Sequence, residues 1–150
     1  MDPDRIAAGG IILKDDAILL VRYNRSSGGS YLVGPGGGLN PGENMVQAII
    51  RETMEETGVI VRPRRVLWIE HLQCTGFTMQ KSWMLCDVVS GEVKPTAGAR
   101  AEGITAAGWF KKAQLENEVV YPPPIKEHDW DELRSDHWEA RRLPSRVAHF

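Results

Sequence analysis

The sequence has few cysteines, no long apolar run and no strong excess of either charge. Its two cysteines, Cys74 and Cys86, are too few for a disulfide framework and too far apart for a CxxC motif. We therefore expect reduced structural thiols in a cytoplasmic protein. No apolar run approaches the length of a membrane span, and the first ten residues lack the basic and apolar regions of a secretory signal. These absences argue against membrane insertion and secretion.

Several binding classes are also disfavoured. A net charge of −2 and an isoelectric point near 6.1 give no electrostatic reason to expect a nucleic-acid or membrane partner. The glycine-rich stretch lacks the Gly-Lys-Ser/Thr ending of a nucleotide P-loop and the GxGxxG of a dinucleotide fold. The histidines show no metal-ligand spacing and are expected to be structural or exposed; they are His71, His128, His137 and His149.

What the sequence does contain is an acidic helix. Asn44 is a suitable N-cap with Gln47 three residues on, and Gly58 is placed to end the helix in a left-handed conformation. We predict a helix from Met45 to Thr57. We expect it to pack through one stripe and to turn its acidic face outward, the stripe being Val46, Ile50, Thr53 and Thr57.

Three carboxylates share one side of this helix. Glu52, Glu55 and Glu56 stand at i, i+3 and i+4, so their side chains converge. In a cleft their repulsion would drive one of them to hold a proton unless a cation lies between them. Clustered carboxylate oxygens suit magnesium, calcium or manganese. For an isolated acidic cluster, a solvated helix face would be the better interpretation.

The cluster is not isolated, because it follows a loop of four glycines, Gly34-Pro35-Gly36-Gly37-Gly38. After Gly37 the spacing continues through Glu43, Arg51-Glu52, Glu55-Glu56 and Gly58-Val59. This pattern resembles the signature of the Nudix hydrolases, Gly-x5-Glu-x7-Arg-Glu-U-x-Glu-Glu-x-Gly-U, in which U is a bulky aliphatic residue. The one departure is Thr53 at the first U, which affects helix packing rather than chemistry.

The order strands, helix, strands, helix predicts an α+β fold with a mixed sheet. The resemblance implies a Nudix-type α/β/α sandwich in which the box forms a loop-helix-loop. It also implies hydrolysis of a phosphoanhydride with Mg²⁺, or Mn²⁺ as a substitute, which neutralises the pyrophosphate and lowers the pKa of a bound water. We expect one domain over residues 1–150, with a C-terminal helical extension from about residue 116.

The resemblance also assigns roles to residues of the box. Glu52 and Glu56 are the firmest metal ligands, followed by Glu55 and the carbonyl of Gly36 or Gly37. The base for the attacking water is Glu52 or a glutamate outside the box, for which Glu102 is the candidate; an exposed loop glutamate is its alternative. Arg51 holds a carboxylate in place, and Glu43 braces the loop near it.

Substrate contacts are expected outside the helix. Arg22 and Arg25 follow the second strand and are candidates for phosphate ligands, with solvated surface arginines as the alternative. The backbone of Gly37 and Gly38 can approach a ligand closely. Four aromatic side chains are candidates for stacking on a base, and for each of them a role in the core is the alternative. They are Tyr31, Trp68, Phe77 and Trp83.

Strands are expected at residues 5–13, 17–23, 31–33 and 79–89, and another ends at Trp109-Phe110. Residues 60–62 and 66–73 should form strands on either side of Pro63, which interrupts pairing. Residues 90–103 should form a loop with a Pro-Thr-Ala-Gly core, and a short helix should begin at Lys112. Residues 125–142 are a candidate helix with Trp130, Leu133 and His137 on one side.

Two questions stay open at this stage. The substrate is a small nucleotide, either a nucleoside triphosphate, including an oxidised one, or an ADP-sugar. The alternative function is a catalytically silent Nudix-like nucleotide-sensing module, although such modules usually lose box glutamates. A calcium-binding structural domain lacks its DxDxDG loop here. A homodimer through the tail tryptophans is kept as a hypothesis.

Overall fold

The computed structural model describes residues 4–94 and 96–148. Within them the strands are β1 (Arg5–Lys14), β2 (Ala17–Asn24), β3 (Ser30–Val33), β4 (Gly36–Gly38), β5 (Ile60–Cys74), β6 (Phe77–Ser90), β7 (Ile104–Lys111), β8 (Val120–Tyr121), β9 (Arg141–Arg142) and β10 (Arg146–Val147). The helices are α1 (Met45–Thr57), α2 (Ala97–Ala101), α3 (Pro124–Glu127) and α4 (Trp130–Arg134), with a 3-10 helix at Lys112–Leu115.

The strands form one mixed sheet in the order β10-β5-β6-β1-β2-β3-β8. β1 runs parallel to β6 and antiparallel to β2, while β4 pairs with β1 and β7 pairs with β2. The predicted α+β class with a mixed sheet is therefore confirmed. None of the helices in the described residues has the length and apolar character needed to cross a membrane.

Helices cover both faces of the sheet. Because side chains alternate along a strand, neighbouring residues of β1 enter different cores. Ile12 packs in the core that contains Ile49 of α1. Ile11 packs in the core that contains Trp130 and Leu133 of α4. Each fully buried side chain of this size contributes roughly 1.5–3 kcal/mol relative to exposure. The layers are those of the predicted α/β/α sandwich.

The predicted bounds and caps of α1 are confirmed. The Asn44 side chain accepts a hydrogen bond from the Gln47 backbone N–H at 2.8 Å, and the Gln47 side chain accepts one from the Asn44 backbone N–H at 2.9 Å. These two bonds satisfy donors that the first helical turn leaves free. Gly58 ends the helix with φ 81°, a left-handed conformation that glycine adopts without strain.

The predicted packing stripe of α1 is partly wrong. Val46 and Ile50 are 39% and 36% exposed, whereas Glu52 and Glu56 are only 7% and 1% exposed. The predicted stripe residues Thr53 and Thr57 are buried, as expected. The acidic face therefore turns inward, because the glycines of the preceding loop have no side chains to fill the space beside it.

Two predicted interruptions of secondary structure are also wrong. β5 continues through Pro63, because a register shift between Pro63 and Arg65 accommodates the missing N–H. The loop expected at residues 90–103 contains α2, which Thr96 caps by accepting a hydrogen bond from the Ala99 backbone N–H at 2.9 Å. Pro95 of that loop lies outside the described residues.

The C-terminal segment, residues 116–148, forms short helices and strands in place of the predicted helix at 125–142. Asp129 caps a separate helix, α4, so the predicted continuous helix does not form. Trp130 and Leu133 are buried as expected, but His137 is exposed. Trp130 and Trp138 are each 7% exposed and pack in the core of this chain. The idea that these tryptophans make a dimer contact is therefore wrong.

Candidate metal-binding and active site

The acidic site is built on α1, whose glutamates differ in burial. Glu56 lies deepest, Glu52 lies beside it, and the Glu55 side chain is 44% exposed at the rim. The spacing i, i+4 places Glu52 and Glu56 on the same face of the helix, toward β4. Buried carboxylates of like charge are costly unless each is paired.

Glu56 is only partly satisfied. One of its oxygens, Oε1, accepts a hydrogen bond from the Gly36 backbone N–H at 3.2 Å. Its other oxygen, Oε2, is buried and has no hydrogen-bond partner among the described residues. Burial, and after it the nearby carboxylates of Glu52 and Glu102, raise the pKa of Glu56 to about 9.

The structure brings Glu102 to the carboxylates of the helix. Glu52, Glu55 and Glu102 each offer a carboxylate oxygen within 4.8 Å of the other two. The pKa of Glu102 is raised by burial first and then by the charges of Glu52 and Glu55. Oε2 of Glu52 is a second buried oxygen without a partner in the part of the chain that is described. Such an arrangement has room and charge for a divalent cation.

Arg51 braces this cluster. Its guanidinium donates two hydrogen bonds of 2.8 Å to Glu43, one of 2.8 Å to Glu52 and one of 3.3 Å to Glu55. It also donates to the Gly38 carbonyl at 3.1 Å. The hydrogen bonds from Arg51 lower the pKa of Glu43 to about 2. The predicted pairing of Glu43 with Arg51 at the loop is confirmed.

The glycine-rich loop lies directly against the carboxylates. A Cβ on Gly37 would be 2.8 Å from Oε1 of Glu52, and one on Gly36 would be 2.3 Å from the Ala8 carbonyl oxygen. Both distances are shorter than real Cβ contacts. Glycine at these two positions therefore lets the loop pair with β1 while leaving space for Glu52.

The predicted phosphate ligands have different environments. Arg22 donates hydrogen bonds of 2.9 and 3.0 Å to Glu118 and one of 2.7 Å to Ser30. This fork occupies its guanidinium and argues against the prediction that Arg22 binds substrate. Arg25 is exposed and donates to the Tyr121 hydroxyl at 3.3 Å. Arg25 therefore stays a candidate.

The four side chains proposed to stack on a base also differ in burial and in their contacts. Trp68 and Trp83 are 0% and 1% exposed and belong to the core. For these two residues the alternative interpretation, a core role, is therefore correct. Phe77 is half-buried, and the guanidinium of Arg5 lies over its ring, 3.8 Å from the centroid. Tyr31 is half-buried and stacks on Tyr23. Of the four, Tyr31 alone stays a candidate for contact with substrate.

Sequence reasoning missed three residues near this site, Tyr23, Lys81 and Tyr121. Pairing of β2 with β3 places Tyr23 opposite Tyr31, a relationship that the two-residue alternation of each strand could have suggested. Lys81 lies over the ring of Trp83, with Nζ 4.2 Å from the centroid, and burial lowers its pKa. No sequence signal marks Lys81 or Tyr121, because their positions depend on long-range pairing.

None of the described histidines belongs to the acidic cluster. His71 and His137 are exposed, and His128 packs edge-to-face against Trp138 with 5.1 Å between ring centroids. His149 lies outside the described residues.

The fold is a mixed sheet between helix layers, with an acidic loop-helix-loop packed against β1 and β5. These two features together define the class of protein. The family model described as NUDIX domain matches residues 3–132. The chain therefore belongs to the NUDIX domain family, and the predicted family is confirmed.

Individual relatives agree with this assignment. Over 116 residues the chain is 30% identical to human "8-oxo-dGDP phosphatase NUDT18", covering 77% of this chain and 32% of that protein. Over 119 residues it is 33% identical to "ADP-ribose pyrophosphatase" of Methanocaldococcus jannaschii, covering 77% of this chain and 69% of that protein. The chain thus spans about a third of the length of the first of these relatives. A solved NUDIX hydrolase from Nitrosomonas europaea superposes with a TM-score of 0.69 at 28% identity, covering 83% of this chain and 85% of that one.

Proposed function

We propose that this protein is a divalent-metal-dependent Nudix pyrophosphohydrolase that cleaves the phosphoanhydride bond of a nucleoside diphosphate linked to another group. One observation carries the proposal. Two buried carboxylate oxygens, Oε2 of Glu52 and Oε2 of Glu56, lack a partner among the described residues at the same place where a further carboxylate, Glu102, approaches the helix. Buried carboxyl oxygens without a hydrogen-bond partner are the ligands that a hard cation takes.

The residues present fit Mg²⁺, with Mn²⁺ as a substitute. Glu52, Glu55 and Glu56 would hold the ion, and the carbonyl of Gly36 or Gly37 is a further ligand. When bound, such an ion neutralises charge on the pyrophosphate and makes water more acidic. The all-oxygen donor set disfavours softer metals.

The chain itself orients these groups. Arg51 holds one oxygen of Glu52 by a charge-assisted hydrogen bond, so that the other oxygen stays directed into the site. Glu102 and Glu52 are the two candidates for the base that takes a proton from the attacking water. We favour Glu102, because Glu52 is already tied to Arg51 and lies against Gly37. Phosphoryl transfer needs this positioning more than covalent chemistry.

For the substrate we propose a nucleoside diphosphate derivative from one of two groups. The name of the human relative, an 8-oxo-dGDP phosphatase, supports an oxidised nucleotide. The name of the archaeal relative, an ADP-ribose pyrophosphatase, supports an ADP-sugar. The fold is common to both groups, so the choice between them depends on residues outside the box.

The test is cleavage of nucleoside triphosphates, 8-oxo-dGDP, ADP-ribose and diadenosine polyphosphates, with and without Mg²⁺ or Mn²⁺, followed by chromatography of the nucleotide products. We expect turnover of at least one substrate that stops when the metal is chelated. Glu56→Gln should abolish it while the fold stays intact, because the amide keeps the shape but not the charge. Glu116→Gln, an exposed glutamate away from the cluster, is the matched control. Absence of cleavage across the panel, with nucleotide binding retained, would favour the sensing module.

Three expectations accompany this proposal. A homodimer stays a prediction that light scattering can test, although its contact would not involve the tail tryptophans. A cytoplasmic location and the absence of a nucleic-acid partner likewise stay predictions. Both cysteines are free thiols, with Cys74 half-buried and Cys86 buried.

A further inference from the structure

The chain contains three tyrosines, and the fold brings all of them into one row. The rings of Tyr23 and Tyr31 are stacked, with 5.5 Å between centroids and 15° between planes. Tyr121 meets Tyr31 edge-on, with 5.5 Å between centroids and 75° between planes. All three side chains are half-buried rather than enclosed. Each tyrosine therefore keeps part of its side chain accessible to solvent.

This tyrosine row (Tyr23, Tyr31 and Tyr121) begins beside the acidic cluster. Tyr23 on β2 pairs with Ile104 on β7, and Glu102 lies two residues before Ile104. The carboxylates of Glu56 and Glu102, after burial, are the main causes that raise the pKa of Tyr23. A ligand held by the carboxylates can therefore extend from Tyr23 along the row.

Two guanidiniums line the far end of the row. Arg25 donates to the Tyr121 hydroxyl at 3.3 Å and lies 5.3 Å from the Tyr31 ring centroid. Across the described ranges, no acidic side chain lies within 4.0 Å of Arg25 as an ion-pair partner. Arg146 lies 4.4 Å from the Tyr121 ring centroid and donates to the buried Glu70 at 3.2 Å. A guanidinium thus lies near the ring of Tyr31 and another near the ring of Tyr121.

Two of the five residues of this surface, Tyr121 and Arg146, come from the C-terminal segment. Tyr121 is on β8, which pairs with β3, and Arg146 is on β10, which pairs with β5. Arg146 also lies beyond residues 3–132, which the family model matches. The C-terminal segment thus adds to the acidic site a wall that the box does not specify.

We propose that the tyrosine row, with Arg25 and Arg146, binds the nucleoside of the substrate, so that the C-terminal segment takes part in choosing it. This inference rests on the proposed function in taking a nucleotide as the ligand. A base stacks on aromatic rings, and guanidinium groups donate hydrogen bonds to its carbonyl and ring-nitrogen acceptors. The pyrophosphate then lies at the carboxylates, at the Tyr23 end.

Labelling with 3-fluorotyrosine tests the row directly, since the protein has only these three tyrosines and should give three ¹⁹F resonances. Each is assigned by a Tyr→Phe variant. The probes are AMP, GMP and UMP, compared with ribose 5-phosphate, all in Mg²⁺. We expect the nucleotides to shift the Tyr31 resonance and at least one neighbour, and ribose 5-phosphate to leave Tyr31 in place. Equal shifts with and without a base, or none, would overturn the proposal.

Binding constants of variants provide a second measurement. Tyr31→Leu should weaken AMP or GMP binding by about tenfold, as loss of one base stack does, and leave ribose 5-phosphate within about twofold. Arg25→Met should weaken the nucleotides in the same selective way. Its matched control is Arg141→Met, since Arg141 is also exposed and lies 4.1 Å from the ring centroid of a core residue, Trp138. A loss in the control equal to that in Arg25→Met would contradict the assignment.

The role of Arg146 needs a conservative variant, because its removal would leave the charge of Glu70 buried and unpaired. Arg146→Lys keeps a positive charge beside Glu70 but loses the planar group over Tyr121. We expect it to fold and to change the preference among AMP, GMP and UMP by severalfold. An unchanged preference would show that Arg146 is not part of the nucleoside-binding surface.

Failure of this inference is distinguishable from failure of the proposed function. Base-dependent shifts without turnover of any substrate would overturn the enzyme and support the nucleoside surface. Metal-dependent turnover without a base-dependent shift would support the enzyme and overturn the nucleoside surface.

Discussion

Gly37 and Glu52 are in contact without a side chain between them: a Cβ on Gly37 would lie 2.8 Å from Oε1 and 2.9 Å from Cδ of the Glu52 carboxylate. The same carboxylate has a buried oxygen without a partner within residues 4–94 and 96–148. The loop and the helix thus fix the position of Glu52 jointly. Any atom added to Gly37 must displace the carboxylate or the loop.

The first prediction follows from this contact. Gly37→Ala should weaken Mg²⁺ or Mn²⁺ binding by about tenfold or more, as changes behind a metal ligand do. Gly38→Ala has room, because the nearest atom to its Cβ would be the Ile6 carbonyl oxygen at 3.9 Å, and its metal affinity should stay within about twofold. Titration calorimetry of both variants gives the comparison. Equal metal affinity in Gly37→Ala and Gly38→Ala would show that the contact with Glu52 has no effect.

The second prediction concerns the proton on Glu56. Burial and the neighbouring carboxylates of Glu52 and Glu102 raise the pKa of Glu56 to about 9, so near neutral pH the metal-free side chain holds a proton. A carboxylate must lose its proton to bind a metal, and binding should release about one proton per ion. Affinity should therefore rise with pH, by up to about tenfold per pH unit, and level off near pH 9.

Calorimetry in buffers of different ionisation enthalpy measures that proton. Glu56→Gln should bind its metal more weakly, and binding should release no proton. Glu55→Gln, which alters the exposed rim, should still release it. If Glu56→Gln released as many protons as the wild type, the proton would belong to another group.

Much of this site could be predicted from the sequence, because the determinants are local. The bounds and caps of α1 depend on Asn44, Gln47 and Gly58, which act within a few residues of the helix ends. The Arg51–Glu43 pair follows from the spacing of the box. Local pattern also predicted β1, β2, β3 and β6 to within about two residues of their ends.

The failures have a common physical origin in long-range packing. The direction in which α1 turns its glutamates depends on the space left by Gly36 and Gly37 beside β1, which no property of the helix reveals. The fork from Arg22 to Glu118 joins residues 96 positions apart. Trp130 and Leu133 suit the helix predicted at residues 125–142, but the sheet and core contacts of the C-terminal segment determine its path.

The third prediction concerns the ion pair behind the box. Hydrogen bonds from Arg51 lower the pKa of Glu43 to about 2 from an ordinary value of 4.5. The charged pair therefore contributes its full stability above pH 4.5, and this contribution falls as the pH drops to about 2. Glu43→Gln should be less stable than the wild type near neutral pH.

Urea unfolding of both proteins at a series of pH values tests this dependence. The difference in the free energy of unfolding should shrink as the pH falls from 4.5 to about 2. A difference that stayed constant, or grew in acid, would show that Glu43 is not held as an anion by Arg51.

The last prediction separates the two roles open to Glu102, base and metal ligand. Its carboxylate lies within 4.8 Å of oxygens of Glu52 and Glu55, and no box position supplies it. If Glu102 takes the proton of the attacking water, Glu102→Gln should lower kcat by about 100-fold or more, with metal affinity nearly unchanged. If it holds the ion, metal affinity should fall together with kcat, and added Mn²⁺ should restore part of the rate. We expect the first result, because the three carboxylates of α1 would suffice as oxygen ligands while Arg51 restrains Glu52. Glu116→Gln should leave both quantities unchanged, and a normal kcat in Glu102→Gln would return the role of base to Glu52.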